Sequence, residues 1–239
     1  QVVFSDDMIT PLASVLVNRL TGSRTIITRK MQTPPSLTYD QKLKLDDLAE
    51  RLIASEEPVT ILIDGHEAEI SEYLIKKLPH AKVVMDGGSL RASNIKLAAW
   101  TDYFVVSEHF ARDYMSYRSL STEADIKAAL IELNKICRGE AFITLGEKGC
   151  AFLKSGMLQI VPSWLCNAVD TTGAGDVFHG AFTYGVHYSW HIDNIILFAS
   201  LTAAISIEKK GVRESMPDLA VVHHSLNSYE RNLKQYFEE

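Results

Sequence analysis

The chain has 239 residues, 46% of them hydrophobic, with 24 basic and 30 acidic side chains for a formal net charge of −6. That is enough apolar material for one large α/β domain with a substantial core. The longest basic runs, Lys76-Lys77 and Lys209-Lys210, are too short for a nucleic-acid-binding stripe, and no apolar run approaches the ~20 residues that span a bilayer.

Cys137, Cys150 and Cys166 are widely spaced and contain no CxxC pair. They read as inert thiols in a reducing cytoplasm, not as a disulfide framework or a zinc site. The histidines include no HExxH pair, and His223-His224, in a polar C-terminal stretch, are expected to face solvent. The chain opens at Gln1 without the charged and apolar regions of a signal peptide, and a further segment upstream is expected.

In chain order, Ala13 to Arg19 and Arg24 to Thr28 are β-branched runs around a Thr21-Gly22 turn, which predicts a hairpin. Pro34-Pro35 marks a break. From Tyr39 to Ala54, Leu43, Leu45, Leu48, Leu52 and Ile53 recur at helical spacing. Val59 to Ile63 is short and apolar, as expected of a strand covered on both faces of a parallel sheet, and it ends in Asp64-Gly65-His66-Glu67.

Three more such units follow. A helix near Ile70 to Leu78 leads to strand Lys82 to Met85, ending in Asp86-Gly87-Gly88-Ser89. A segment near Ile95 to Trp100 leads to strand Tyr103 to Val106, ending in Ser107-Glu108. Helix Thr122 to Ile136 leads to strand Ala141 to Leu145, ending in Gly146-Glu147-Lys148-Gly149. Strands Cys150 to Leu153 and Leu158 to Val161, a helix from Asn194 to Ile207 and a last helix near Pro217 to Phe237 complete the pattern. Alternating strands and helices predict a three-layer, doubly wound, mostly parallel sheet. Ligands bind at the carboxyl ends of such strands, where Asp64, Asp86 and Glu108 fall. Asp and Gly also end strands simply as turn formers, so position alone does not make each acid a ligand.

The stretch Asp170-Thr171-Thr172-Gly173-Ala174-Gly175-Asp176 runs into the apolar, helix-compatible Val177-Phe178-His179-Gly180-Ala181-Phe182. Small residues at a helix start let the backbone approach a ligand, and the first N–H groups of the helix form an anion site. A carboxylate there repels an anion, which makes sense if Asp176 takes a proton from a hydroxyl that attacks a phosphoryl group. The alternative is a capped helix with an acid placed near the positive end of its dipole. A Walker loop is absent, and Gly180 comes two residues late for a dinucleotide fingerprint.

This motif resembles the C-terminal signature of the ribokinase-like carbohydrate kinases, also called the PfkB family. The resemblance implies a ribokinase-like fold with a small β lid hairpin, residues 1–35, on a nucleotide-binding α/β core, residues 36–239. It implies Asp176 as catalytic base, with the Gly173, Ala174 and Gly175 amides as anion hole. Thr144, Gly146 and Gly149 would approach the ATP phosphates, with Ser200 and Gly211 on the nucleotide side. Asp170, Thr172, Ser206, Gly211 and Ser215 match a monovalent-cation site, largely through backbone carbonyls. Arg24, Asp64, His66 and Asp86 fall on the sugar side. ATP, Mg2+ and K+ are the implied cofactors. A sugar is the implied substrate, with neither nucleic acid nor membrane as partner, and the lid strands offer a homodimer edge.

The resemblance covers the chain from about Ser14 to Pro217 but includes no counterpart of the family's N-terminal part. It also departs from the family at Ser107-Glu108-His109-Phe110, where many members carry Asn-x-x-Glu to organise magnesium through water. Glu108 is the carboxylate left to take over part of that role. The segments Asp64-Gly65-His66 and Asp86-Gly87-Gly88-Ser89 look closer to the ribokinase and fructokinase branch than to adenosine kinases. A nucleoside or sugar-phosphate kinase of the same fold, or a non-catalytic nucleotide or sugar sensor, are the alternative readings.

Overall fold

The structure is a computed structural model that describes residues 13–17, 24–28, 36–117 and 119–226. β1 (Ala13–Val17) and β2 (Arg24–Thr28) pair antiparallel, with Ala13 opposite Thr28 and Val17 opposite Arg24. They form a two-stranded sheet of their own, which is the hairpin the β-branched runs predict. The Thr21-Gly22 turn, the Pro34-Pro35 break and the Arg24 side chain lie outside the described residues.

α1 (Tyr39–Ala54) starts on a capping box: Thr38 Oγ1 accepts from the Gln41 N–H, and the Gln41 side chain accepts from the Thr38 N–H. Its bounds match the leucine periodicity, but its buried face is narrower than predicted. Leu45 and Ala49 are buried, whereas Leu43 is 49% and Ile53 60% exposed. Ala49 packs with Leu78 and Ala81 in a small cluster, too small to cover every periodic leucine.

The chain then runs through β3 (Thr60–Ile63), α2 (Ala68–Lys77), β4 (Lys82–Gly87), α3 (Ala92–Ala98), β5 (Tyr103–Ser107), α4 (Glu108–Tyr114), α5 (Glu123–Asn134), β6 (Glu140–Thr144), β7 (Cys150–Lys154), β8 (Met157–Val161), α6 (Ala174–His187) and α7 (Ile192–Ser206). The six strands from β3 to β8 form one sheet in sequence order. The pairs from β3 to β6 are parallel; β6 with β7 and β7 with β8 are antiparallel, so the sheet is mixed. Helices carry the parallel crossovers, while short turns at Gly146–Lys148 and Ser155-Gly156 can only join antiparallel neighbours.

Strand side chains alternate between faces. Val83, Met85, Phe104, Val106 and Ile143 point into one core with Ile75, Leu97, Phe110 and Leu130 of α2 to α5. Val84, Val105 and Phe142 point into the other, with Phe178 and Phe182 of α6 and Ile196 of α7. The result is the three-layer α/β architecture expected.

β3 corrects one expectation. It is the edge of the six-stranded sheet among the described residues, and Leu62 is 42% exposed, so this strand is not covered on both faces. α4 is an element the strand-and-helix alternation does not reveal. Ser107 ends β5 and caps α4 at once, its Oγ accepting from the Phe110 N–H at 3.0 Å. The last predicted helix is seen over residues 219–226, and the rest of it lies outside the described residues.

Phe182 is fully buried, with ring centroids 5.3 Å from Phe142 and 5.8 Å from Tyr103. Phe182→Ala is expected to lower unfolding free energy by about 3–5 kcal/mol, as measured by urea denaturation.

Candidate active site

Parallel register sets the strand ends side by side: Gly87 pairs with Val106, and Ser107 with Thr144. Asp64 follows β3 directly, and Asp86 is the penultimate residue of β4. α6 packs across β3 and β4, which brings its first turn over the same edge. A cavity of about 430 Å3 opens there, lined by Asp64, Glu67, Ser71, Asp86 and Asp176 together with Leu62 and Ile63. Three expected residues, Asp64, Asp86 and Asp176, therefore meet at one cavity. A larger hollow of about 620 Å3 lies at the opposite ends of the strands, between Val59 and Ala81, and its walls are mainly apolar.

The start of α6 depends on Gly173. Its φ is 76°, in the left-handed region, and a Cβ there would come 2.5 Å from Val212 Cγ1. The close approach of the Gly211-Val212 loop thus requires the glycine on two counts. Asp176 lies in the first turn of α6 and is exposed to the cavity. Of the three expected anion-hole amides, the Ala174 N–H already donates to Thr171 O at 3.3 Å. That is the long end of hydrogen-bond geometry.

Asp86 is the most buried of these carboxylates, with a side chain 17% exposed. Burial is the largest influence and raises its pKa above 3.8; the nearby charge of His179 lowers it, and those of Asp176 and Asp64 raise it. His179, three residues after Asp176, stands behind it with Nδ1 3.4 Å from Asp86 Oδ2. Glu67, Ser71 and His179 were not singled out from the sequence. The signal for His179 is its place on the apolar face of the signature helix, where a polar side chain needs partners.

His66 is exposed and does not line the cavity; its backbone N–H donates to Asp64 Oδ1 at 2.9 Å and so orients that carboxylate.

Asp170, Thr172, Gly211 and Ser215 come together. Asp170 Oδ1 accepts from the Thr172 N–H at 3.0 Å and Oδ2 from the Gly211 N–H at 3.3 Å, and Ser215 Oγ donates to Gly211 O. Ser206, one turn before this loop, donates to Ala203 O within α7. Ser200 is buried inside α7. Among the described residues, no three His, Cys, Asp or Glu side chains are grouped to hold a metal.

On the other side of the strand edge, Thr144 Oγ1 is 3.4 Å from Val106 O. Gly146 and Gly149 bound a single 3-10 turn, and a Cβ on Gly149 would overlap Val161 O at 2.0 Å. Glu108 opens α4 and is half-buried. Phe110 is fully buried, edge-on to Phe104 at 5.5 Å. The position that carries Glu in the Asn-x-x-Glu pattern is thus part of the hydrophobic core.

Residues 75–219 match the family described as "pfkB family carbohydrate kinase". The ribokinase of Lactococcus lactis is 29% identical over 189 residues, which span 79% of this chain and 60% of that protein. The ribokinase structure from Giardia lamblia superposes with a TM-score of 0.73 at 21% identity, over 92% of this chain and 72% of that one. The Arabidopsis thaliana ribokinase complexed with ribose and ATP gives a TM-score of 0.70 at 21% identity, over 90% of this chain and 68% of that one.

The Asp86 result has a measurable consequence. Its raised pKa means that the fold favours the protonated form, so the stability it contributes is full below pH 3.8 and is lost as pH rises through the folded value. Carboxyl 13C NMR across a pH series is expected to show Asp86 titrating above that ordinary value.

Proposed function

The chain belongs to the pfkB family of carbohydrate kinases, and from that membership we propose that it transfers the γ-phosphoryl group of ATP to a hydroxyl of a sugar. The observation that carries this reading is the meeting of Asp176, on the first turn of α6, with Asp64 and Asp86 at one cavity on the strand ends. An acid at a helix N-terminus is poorly placed to hold an anion and well placed to relieve an attacking hydroxyl of its proton.

In this mechanism Asp176 accepts the hydroxyl proton as the sugar oxygen attacks the γ-phosphorus and ADP leaves. Asp64 and Asp86 accept hydrogen bonds from neighbouring hydroxyls and so fix which one faces Asp176. The amides of Gly173 and Gly175, with that of Ala174, meet the charge on the transferred oxygens, an electrostatic contribution aligned with the α6 dipole. Thr144, Gly146 and Gly149 form the nucleotide side. A side chain on Gly149 would collide with Val161 O, so this glycine is what lets the turn pack against the end of β8.

Bound Mg2+ supplies charge neutralisation of the phosphates, and Glu108, half-buried at the start of α4, is the carboxylate suited to orient its waters. The loop joined by Asp170, Gly211 and Ser215 suits K+ through its carbonyls, with the Asp170 carboxylate holding the loop closed. Residues 1–35 are assigned to a sugar-side lid, whose strands offer a dimer edge, and residues 36–239 to the nucleotide-binding core.

A pentose is the first substrate class to test, because the similarity to the Lactococcus ribokinase spans most of this chain. The test is ADP release with Mg2+ and K+ across pentoses, ketoses, sugar phosphates and nucleosides. Asp176→Asn is expected to lower turnover by about 10²- to 10⁴-fold while ATP binding, followed by calorimetry, persists. Undiminished turnover in that variant would remove Asp176 as the base. A signal only with nucleosides or sugar phosphates would move the reading to those substrates.

A further inference from the structure

Deepening the kinase reading and resting on it, we propose that His179 is a positioning residue that sits behind Asp86 as an imidazolium, keeping that carboxylate ionised and turned into the cavity as an acceptor for a substrate hydroxyl.

The His179 side chain is 3% exposed. Its Nδ1 lies 2.6 Å from Gly175 O and 3.4 Å from Asp86 Oδ2, and its Nε2 lies 3.1 Å from Val105 O. Each of these oxygens belongs to a carbonyl or a carboxylate. Backbone carbonyls only accept hydrogen bonds, and a neutral imidazole has one N–H and one bare lone pair. Either neutral tautomer would leave a buried nitrogen lone pair against a carbonyl oxygen. Only the doubly protonated ring satisfies both ends.

A buried cation needs a partner, and Asp86 on β4 is the carboxylate within reach. The charged groups that face this pair are Asp64 from the end of β3 and Asp176 from α6, with Glu67 on the same cavity wall. All three carry the sign that opposes ionisation of Asp86. His179 is the one group around it that favours the charged form, besides a hydrogen bond from the Gly88 N–H. The ring also ties the start of α6 to β5, because Gly175 O and Val105 O share it. One side chain therefore sets both the charge of Asp86 and the position of the turn that carries Asp176.

Removing the cation while keeping a donor isolates the charge. His179→Gln retains an N–H for a carbonyl but cannot offset Asp86. The acid limb of the kcat/KM profile is expected to move up by about one to three pH units, with the rise in sugar KM confined to the acid side. In an Asp86→Asn background the same His179→Gln change is expected to leave the acid limb where it was. An unmoved limb in a folded His179→Gln protein overturns the proposal, since mere packing would not depend on pH.

A second measurement needs neither variant nor activity. Two-bond 15N–1H correlation on the unmodified full chain is expected to show both His179 ring nitrogens protonated at pH 7, the signals being assigned by their loss in His179→Gln. A bare nitrogen there overturns the proposal, whatever the protein phosphorylates. Absence of ADP release across the substrate panel refutes the kinase reading instead, and the ring's protonation is still decided by the spectrum.

Discussion

Phe178 and Phe182 lie on the face of α6 turned toward the sheet, where Phe182 meets Phe142 of β6 and Tyr103 of β5. This packing holds the helix across the strands and forces its first turn to stand over their carboxyl ends. The constraint is geometric as well as energetic. α6 buries its aromatic face on one side of β4, β5 and β6, and α2 to α5 cover the other side. Removing either helical layer would leave the alternating residues of β4, β5 and β6 without a partner, and with them the platform for Asp86.

The polar end of the sheet follows from the same arrangement. Strands buried on both faces can place charge only where they end, and parallel strands end together. Asp64, Asp86 and Asp176 therefore converge through packing rather than attraction, since like charges repel. The convergence needs an opposing charge, and His179 is the residue placed to supply it. Gly173 meets a different demand: Val212 approaches so closely that no side chain fits, which draws the Gly211 loop onto the signature turn and lets Asp170 bridge the two.

Much of this was legible in the residues. The leucine spacing from Tyr39 to Ala54, the apolar runs of β4 to β6 and the small-residue turn before Asp176 are local features, each set by neighbours a few positions away. Leu43 and Ile53 show where periodicity fails: their spacing is helical, but α1 has too little surface beside it to bury them. Leu62 fails for the mirror reason, because an apolar strand says nothing about whether it sits at an edge. α4 escaped because its cap, Ser107, doubles as the end of β5, and seven residues are too few for periodicity to show.

Among the site residues, Asp64, Asp86 and Asp176 were readable as strand-end or helix-start acids, whereas His66, from the same turn as Asp64, is exposed and does not line the cavity. By itself the sequence determined the elements, their alternation and the motif that holds Asp176, because hydrogen bonding, capping and side-chain period act over short spans of chain. Tertiary structure alone decided that Phe110 is buried in the core, that β3 is an edge among the described residues, and that a buried histidine faces three oxygen acceptors. Those outcomes depend on residues tens of positions apart, which only packing brings within a few ångströms of each other.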